Sequence, residues 1–110
     1  MLTKKHMVLI ISANYFKDDN IMNINDKEKI FKALGDKNRL MIMDLISKDE
    51  LSAGKILEQV NMGQSTLSHH MKILCDSGIV NARKDSRWVY YTINAEVAAE
   101  ISSVISEWIR

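Results

Sequence analysis

The stretch from Asn61 to Gly78, NMGQSTLSHHMKILCDSG, constrains the fold of this 110-residue chain more than any other part, because its two helical faces differ in chemistry. Residues that pack recur at positions i, i+3, i+4 and i+7 on one face, and small polar residues with one cation recur on the other. The packing face comprises Leu67, His70, Met71 and Leu74, and the polar face comprises Ser65, Ser68, His69 and Lys72. Gly78 supplies the left-handed stop expected at the end of such a helix.

The polar face has the chemistry of a helix that lies against a polar, grooved partner. Its short side chains can donate and accept hydrogen bonds, and nothing bulky stands between them. The DNA major groove is wide enough to admit a helix of this kind. We therefore interpret the stretch as a recognition helix, with His69 outward and His70 packed and hydrogen-bonded beneath.

Size and composition limit the chain to one globular domain, with 46% hydrophobic and 26% charged residues. A domain this small gains stability by burying a face against a second copy, which favours a homodimer. The formal net charge is only +1, so nucleic-acid binding would depend on where the cations lie. The single cysteine, Cys75, excludes an intramolecular disulfide and favours a reducing cytoplasm.

Residues 1–24 are interpreted as an N-terminal extension of unknown role, ahead of a domain that covers residues 25–110. The apolar run Met7 to Ile11 is too short to span a membrane, and no small-x-small cleavage site follows it. We therefore expect neither secretion nor a membrane partner. The extension would be an extra helix or strand covering the dimer, or a disordered arm.

Two helices are predicted before the recognition unit. The first begins with Asn25 as its cap and Glu28 three residues on, and it ends at Gly35. Asp36 caps the second, DKNRLMIMDLIS, which is apolar on most sides and is predicted to be the central buried helix. Methionine at helical spacing is usually core filler, so these residues do not indicate a metal site.

Ser52 caps a third helix after the polar link KDEL. Its apolar positions, again at helical spacing, are Ala53, Ile56, Leu57 and Val60. The turn at residues 61–63 then leads into the recognition helix, so the two helices predict a helix-turn-helix unit. A helical hairpin in a small bundle is the alternative interpretation.

The segment IVNARKDSRWVYYTI is rich in β-branched and aromatic residues and is broken at Asp85 and Ser86, which predicts a β-hairpin. Its tip carries three cations against only Asp85: Arg83, Lys84 and Arg87. Such a cluster is usually solvated surface, but beside a polar helix it would form a second clamp on phosphate or in the minor groove.

The last helix begins at the cap Asn94 and carries an apolar seam whose positions alternate by four and three. The predicted dimer interface comprises Val97, Ile101, Val104, Ile105 and Trp108. Pairing with a two-fold mate would bury this seam and place two recognition helices one DNA turn apart. Packing against the first helix is the alternative.

Four blocks, FKALGDKNRLMIMDLI, QSTLSHHMKIL, SGIV and RWVYYTIN, occur in an order that resembles the ArsR/SmtB group of winged helix-turn-helix repressors. The resemblance covers residues 27–108 and implies a mainly α fold with a small β-hairpin and a helical dimer interface. It also implies a homodimeric repressor that binds a palindromic double-stranded DNA operator and releases it when an inducer binds. Mapped residue by residue, the DNA-binding positions are Gln64, Ser65, Thr66, Ser68, His69, Lys72, Arg83, Lys84 and Arg87.

The sequence departs from this family at the inducer sites. Arsenic, lead or cadmium sensors of the family begin the third helix with an ELCVCD-like motif, whereas this chain has ELSAGK, with Ser52 and Gly54 in place of soft cysteine ligands. The zinc-type positions of the last helix fall on Ala95, Val97 and Trp108, which are not ligands. We therefore expect no metal and no cofactor, and the inducer is unidentified.

Other function classes have less support in the sequence. A metal- or redox-responsive sensor with a non-standard site is one alternative, although the lone Cys75 is more typical of a structural cysteine. A protein-interaction module is the other. No nucleophile with a partner base, phosphate-binding glycine loop or paired carboxylates indicates an enzyme.

Overall fold

The computed structural model describes residues 22–109, and the interpretation of residues 1–21 falls outside them. The described part holds five helices and one three-stranded antiparallel sheet: α1 (Ile24–Leu34), α2 (Lys37–Lys48), β1 (Leu51–Ser52), α3 (Ala53–Gln59), α4 (Gln64–Ser77), β2 (Val80–Asp85), β3 (Trp88–Ile93) and α5 (Ala95–Trp108). Helices α3 and α4 form the helix-turn-helix, and β2 and β3 form the wing. The predicted mainly α, winged helix-turn-helix fold is thereby confirmed. None of the five helices is long and apolar enough to cross a membrane.

Helix α1 begins two residues earlier than predicted, because Asn23 and not Asn25 is its cap. The Asn23 side chain accepts a hydrogen bond from the Asp26 backbone N–H at 2.8 Å. The Asp26 carboxylate in return accepts from the Asn23 N–H at 3.3 Å, which completes a capping box. The predicted cap at Asn25, with Glu28 as its capping-box partner, was wrong. Asn23 and Asn25 offer the same cap chemistry, and only the backbone conformation selects between them.

The other predicted caps are confirmed. Asp36, Ser52 and Asn94 each accept a backbone N–H at the start of α2, α3 and α5. The N–H of Arg39 donates to the Asp36 carboxylate and holds the pKa of that carboxyl below its usual range. This contribution to stability is present above the ordinary carboxyl pKa and is lost as the pH falls through the lowered value.

The core lies between α1, α2, the packing face of α4 and the base of the wing. It extends past the predicted domain boundary, since Met22 is only 1% exposed and belongs to the core cluster. Helix α2 is less buried than predicted: Ile42 and Ile46 are buried, whereas Leu40 and Met41 are exposed. An apolar composition on most sides of a helix therefore does not mean that every side is covered.

The sheet contains a short strand that the sequence did not predict. Leu51 and Ser52, at the end of the link KDEL, pair with Tyr91 and Tyr90, so β3 lies between β1 and β2. A two-residue strand has no periodicity of its own, and its pairing partner is almost forty residues away. The strand ties the start of α3 directly to the wing.

Gly78, which ends α4, has φ +91°, a left-handed conformation that strains residues with a Cβ. We expect Gly78→Ala to lower the free energy of unfolding by about 1 to 2 kcal/mol. Gly54 is the matched control, because an added Cβ there meets only the Ser52 Oγ at 4.0 Å. Gly54→Ala should raise stability by up to about 1 kcal/mol. Urea denaturation measures both, and equal effects of the two substitutions would contradict the account.

Candidate nucleic-acid interface

Helix α4 divides into the two faces that its sequence predicts. The packing face is buried, and it comprises Leu67, His70, Met71 and Leu74. All six predicted DNA-reading positions of the helix are exposed: Gln64, Ser65, Thr66, Ser68, His69 and Lys72. The structure therefore presents six exposed polar side chains on a helix whose opposite face packs in the core.

A partly buried hydrogen-bond network links this helix to α1 and α2. The Arg39 Nε donates to the Ala33 carbonyl at 2.6 Å, and its Nη2 donates to the Lys32 carbonyl at 3.3 Å. The Arg39 Nη1 lies 3.1 Å from the His70 Nδ1. Because a guanidinium can only donate, this contact requires an unprotonated Nδ1, and the His70 proton is then on Nε2. Arg39 therefore donates to two backbone carbonyls at the end of α1 and orients α4 with the same side chain.

The N-terminus of α4 differs from those of the other described helices. The other four have a side-chain cap, whereas the cap position of α4 is Gly63, with no side-chain hydrogen bond. The first-turn N–H groups of a helix carry the positive end of its dipole. Without a side-chain acceptor they remain available to a phosphate or a base edge next to Gln64 and Ser65.

The three predicted wing cations lie on different faces of the hairpin. Ala82 pairs with Tyr91, which lines the cleft between α3 and α4, so Lys84 lies on the helix side of β2 by the alternation of side chains. Arg83 lies on the opposite side of the same strand. Arg87 is in the turn, with its guanidinium carbon 5.3 Å from the centre of the Trp88 ring.

Arg83 is not balanced by Asp85 alone, as the sequence suggested. It forms a two-pronged ion pair with Glu50, with nitrogen–oxygen distances of 2.8 and 3.1 Å, and it lies 3.5 Å from the Asp85 carboxylate. The Arg83 guanidinium holds the pKa of Glu50 below its usual range, and Glu50 raises the pKa of Arg83. The pair therefore stays charged on both sides at neutral pH.

Cys75 follows Ser68 by seven positions and Lys72 by three, so it borders the polar face of α4, and it is half-buried. Burial raises the pKa of its thiol, and the neighbouring Asp76 carboxylate adds to the effect. A thiol with a raised pKa is a poor nucleophile, which favours a structural role. Within residues 22–109, no group of three His, Cys, Asp or Glu side chains is placed to hold a metal ion.

Part of the predicted dimer seam on α5 is buried in the protomer's own core. Val97 and Ile101 are 1% and 6% exposed and pack inside the chain, so a second chain cannot reach them. Val104 is half-buried, whereas Ile105 and Trp108 are 41% and 70% exposed. The Trp108 ring also stacks on Phe31 of α1, with ring centres 6.0 Å apart. The surface available for pairing is therefore the C-terminal half of α5 together with α1.

A helix-turn-helix followed by a hairpin of this kind defines a winged helix-turn-helix protein. The model of the bacterial regulatory proteins of the arsR family matches residues 36–82. The chain is 40% identical over 80 residues to an HTH-type transcriptional regulator of Methanocaldococcus jannaschii, covering 72% of this chain and 90% of the relative. It is 41% identical over 80 residues to the arsenical resistance operon repressor of Staphylococcus aureus, covering 73% and 77%. The chain belongs to the ArsR family.

Solved structures agree with this assignment. The homodimeric winged helix-turn-helix DNA-binding domain of a possible ArsR-family regulator from Mycobacterium bovis is similar, with a TM-score of 0.64 and 25% identity. The match covers 76% of this chain and 81% of that one. The family consists of transcriptional regulators, so the prediction that the chain is not an enzyme is confirmed.

The Arg39 network predicts a specific loss of stability. Arg39→Met keeps much of the side-chain length but removes the donors, leaving two carbonyls and the His70 Nδ1 without this partner. We expect the free energy of unfolding to fall by about 2 kcal/mol. Lys37→Met, exposed on the same helix, should change it by less than about 0.5 kcal/mol. Thermal unfolding measures both, and equally small losses would show that the network contributes nothing.

Proposed function

We propose that the protein is a homodimeric repressor in the cytoplasm that binds a palindromic operator, with α4 in the major groove and the wing on the phosphate backbone. The observation that carries this proposal is the exposed polar face of α4, positioned on a buried apolar face and next to an uncapped helix N-terminus. Such a helix offers hydrogen-bonding groups to base edges and N–H groups to phosphate at the same time.

Charge placement supports DNA as the partner. The whole chain carries only +1, but Lys84 and Arg87 project from the wing, and no carboxylate of the described residues forms an ion pair with either. On α4, Lys72 pairs with Asp76 at 3.1 Å on an exposed face. Exposed pairs of this kind exchange readily for other partners, since they contribute little to stability.

Selection of bound fragments from the source genome tests the proposal. The purified full-length protein should retain a small set of fragments that share an inverted repeat with half-sites about one helical turn apart. Retention of no DNA even at low salt would contradict the proposal and favour a protein-interaction module. A single unpaired half-site in every fragment would contradict the dimer.

The two parts of the interface should respond differently to substitution. His69→Ala should lower the preference for the selected operator over random duplex by about 1 to 3 kcal/mol, because the exposed His69 would face the base edges with α4 in the major groove. Arg87→Ala should weaken both kinds of binding and reduce the salt slope by about one for each wing. Lys37→Ala, on an exposed position of α2, is the charge-matched control outside both the DNA-binding face and the pairing surface. Fluorescence anisotropy across a salt series checks this, and unchanged preference in His69→Ala would contradict the assignment of that face.

The dimer is expected to form through the exposed end of α5. Ile105→Glu places a charge in this apolar surface and should raise the dimer dissociation constant by at least about tenfold. Ser106→Glu adds the same charge one position away, outside the seam, and should leave it near the wild-type value. Sedimentation equilibrium measures both constants. A dimer that tolerates Ile105→Glu would require a different interface.

A further inference from the structure

The ion pair between Arg83 and Glu50 links the two outer strands of the sheet across β3. The pairs Ser52–Tyr90 and Arg83–Tyr90 place one residue of each strand in a single row, with Tyr90 in the middle. The Arg83 guanidinium carbon lies 4.8 Å from the centre of the Tyr90 ring and continues to Glu50, immediately before β1. Neighbouring strands are about 4.8 Å apart, so the Arg83 and Glu50 side chains together bridge about 10 Å between the two outer strands.

Two guanidinium nitrogens of Arg83 contact the two carboxylate oxygens of Glu50. The Nη2 donates to Oε1 at 2.8 Å and the Nε donates to Oε2 at 3.1 Å. The remaining nitrogen, Nη1, lies 3.5 Å from the Asp85 carboxylate. A two-pronged pair whose guanidinium lies over an aromatic ring keeps more of its strength than a single flexible surface contact does.

The wing needs such a tie because it has almost no core of its own. Only Val80 of β2 is buried, and the remaining five residues of the strand are exposed. A two-stranded hairpin is marginally stable alone, and β1 adds only two residues of pairing. Since α3 begins at Ala53, directly after β1, a link from Arg83 to Glu50 sets the wing relative to the helix-turn-helix.

We propose that Arg83 is a positioning residue that fixes the wing through Glu50, and that Lys84 and Arg87 are the wing cations that contact phosphate. This inference rests on the proposed function and changes one part of it, since the resemblance implied DNA contact by all three. A guanidinium shared by two carboxylates, on the sheet face away from α4, has little net charge to offer a phosphate.

The competing account is that Arg83 leaves Glu50 for a phosphate when DNA binds. The two accounts predict opposite effects of Glu50→Gln. If Arg83 positions the wing, removing the carboxylate charge weakens binding. If Arg83 contacts phosphate, the same substitution frees it and strengthens binding, with a steeper salt dependence.

The experiment compares Glu50→Gln, Arg83→Gln and the exchanged pair E50R/R83E in the full chain. Glu58→Gln is the matched control, because Glu58 pairs with Lys55 at 3.7 Å on exposed α3 and carries the same charge as Glu50. Amide hydrogen exchange of the free proteins reports on β2 and β3. Anisotropy with the genome-selected operator and with a random duplex of about 30 base pairs, long enough for two half-sites, reports on binding.

Each single variant should lower operator affinity about fivefold, leave the salt slope unchanged and speed exchange in the wing. The exchanged pair restores the ion pair but brings a carboxylate next to Asp85, so it should recover both readouts in part, and Glu58→Gln should resemble the wild type. Tighter binding by Glu50→Gln, a salt slope lowered by about one per wing in Arg83→Gln, or no restoration by the exchanged pair would overturn the proposal.

Failure of the proposed function would look different. In that case the wild-type protein would bind neither DNA probe, and the assignment of phosphate contacts to Lys84 and Arg87 would also be wrong. The exchange data on the free proteins would still decide whether Glu50 and Arg83 hold the wing, because they require no DNA. Unchanged exchange in both single variants would overturn the positioning role of the ion pair between Arg83 and Glu50.

Discussion

The burial of one face of α4 is the constraint on which the rest of the structure depends. Leu67, Met71 and Leu74 pack into the core, and His70 meets Arg39, so the helix cannot rotate about its axis without exposing apolar surface. The polar face therefore points outward as a consequence of packing. The surface offered to a partner is defined by residues that the partner never touches.

The wing is held by a different kind of force. Its β2 strand has little apolar surface to bury, so pairing with β3, the short strand β1 and the ion pair of Arg83 with Glu50 position it. Cations that look equivalent along the sequence become different once the strand register separates them. Lys84 and Arg87 extend toward solvent without a carboxylate ion pair within the described residues, while Arg83 is occupied. The positive charge of the candidate interface therefore depends on where the cations lie, and not on the total of +1.

The parts of the fold that the sequence predicts are those fixed by local chemistry. The two faces of α4, the stop at Gly78 and the caps Asp36, Ser52 and Asn94 each depend on residues within a few positions of one another. Contacts between distant parts of the chain escaped prediction: β1 has no pattern of its own, and the partner of Arg83 is 33 positions away. The burial of Val97 and Ile101 also escaped, because a seam for a second chain and a core position have the same apolar periodicity.

Chemical-shift mapping of backbone amides, with and without a genome-selected operator fragment, shows which residues of the protein contact DNA. We expect the largest changes at residues 64–72 of α4 and at Lys84 and Arg87 in the wing, with small changes on the sheet face that carries Arg83 and Glu50. Large changes on that face or on the exposed end of α5, with residues 64–72 unaffected, would contradict this expectation.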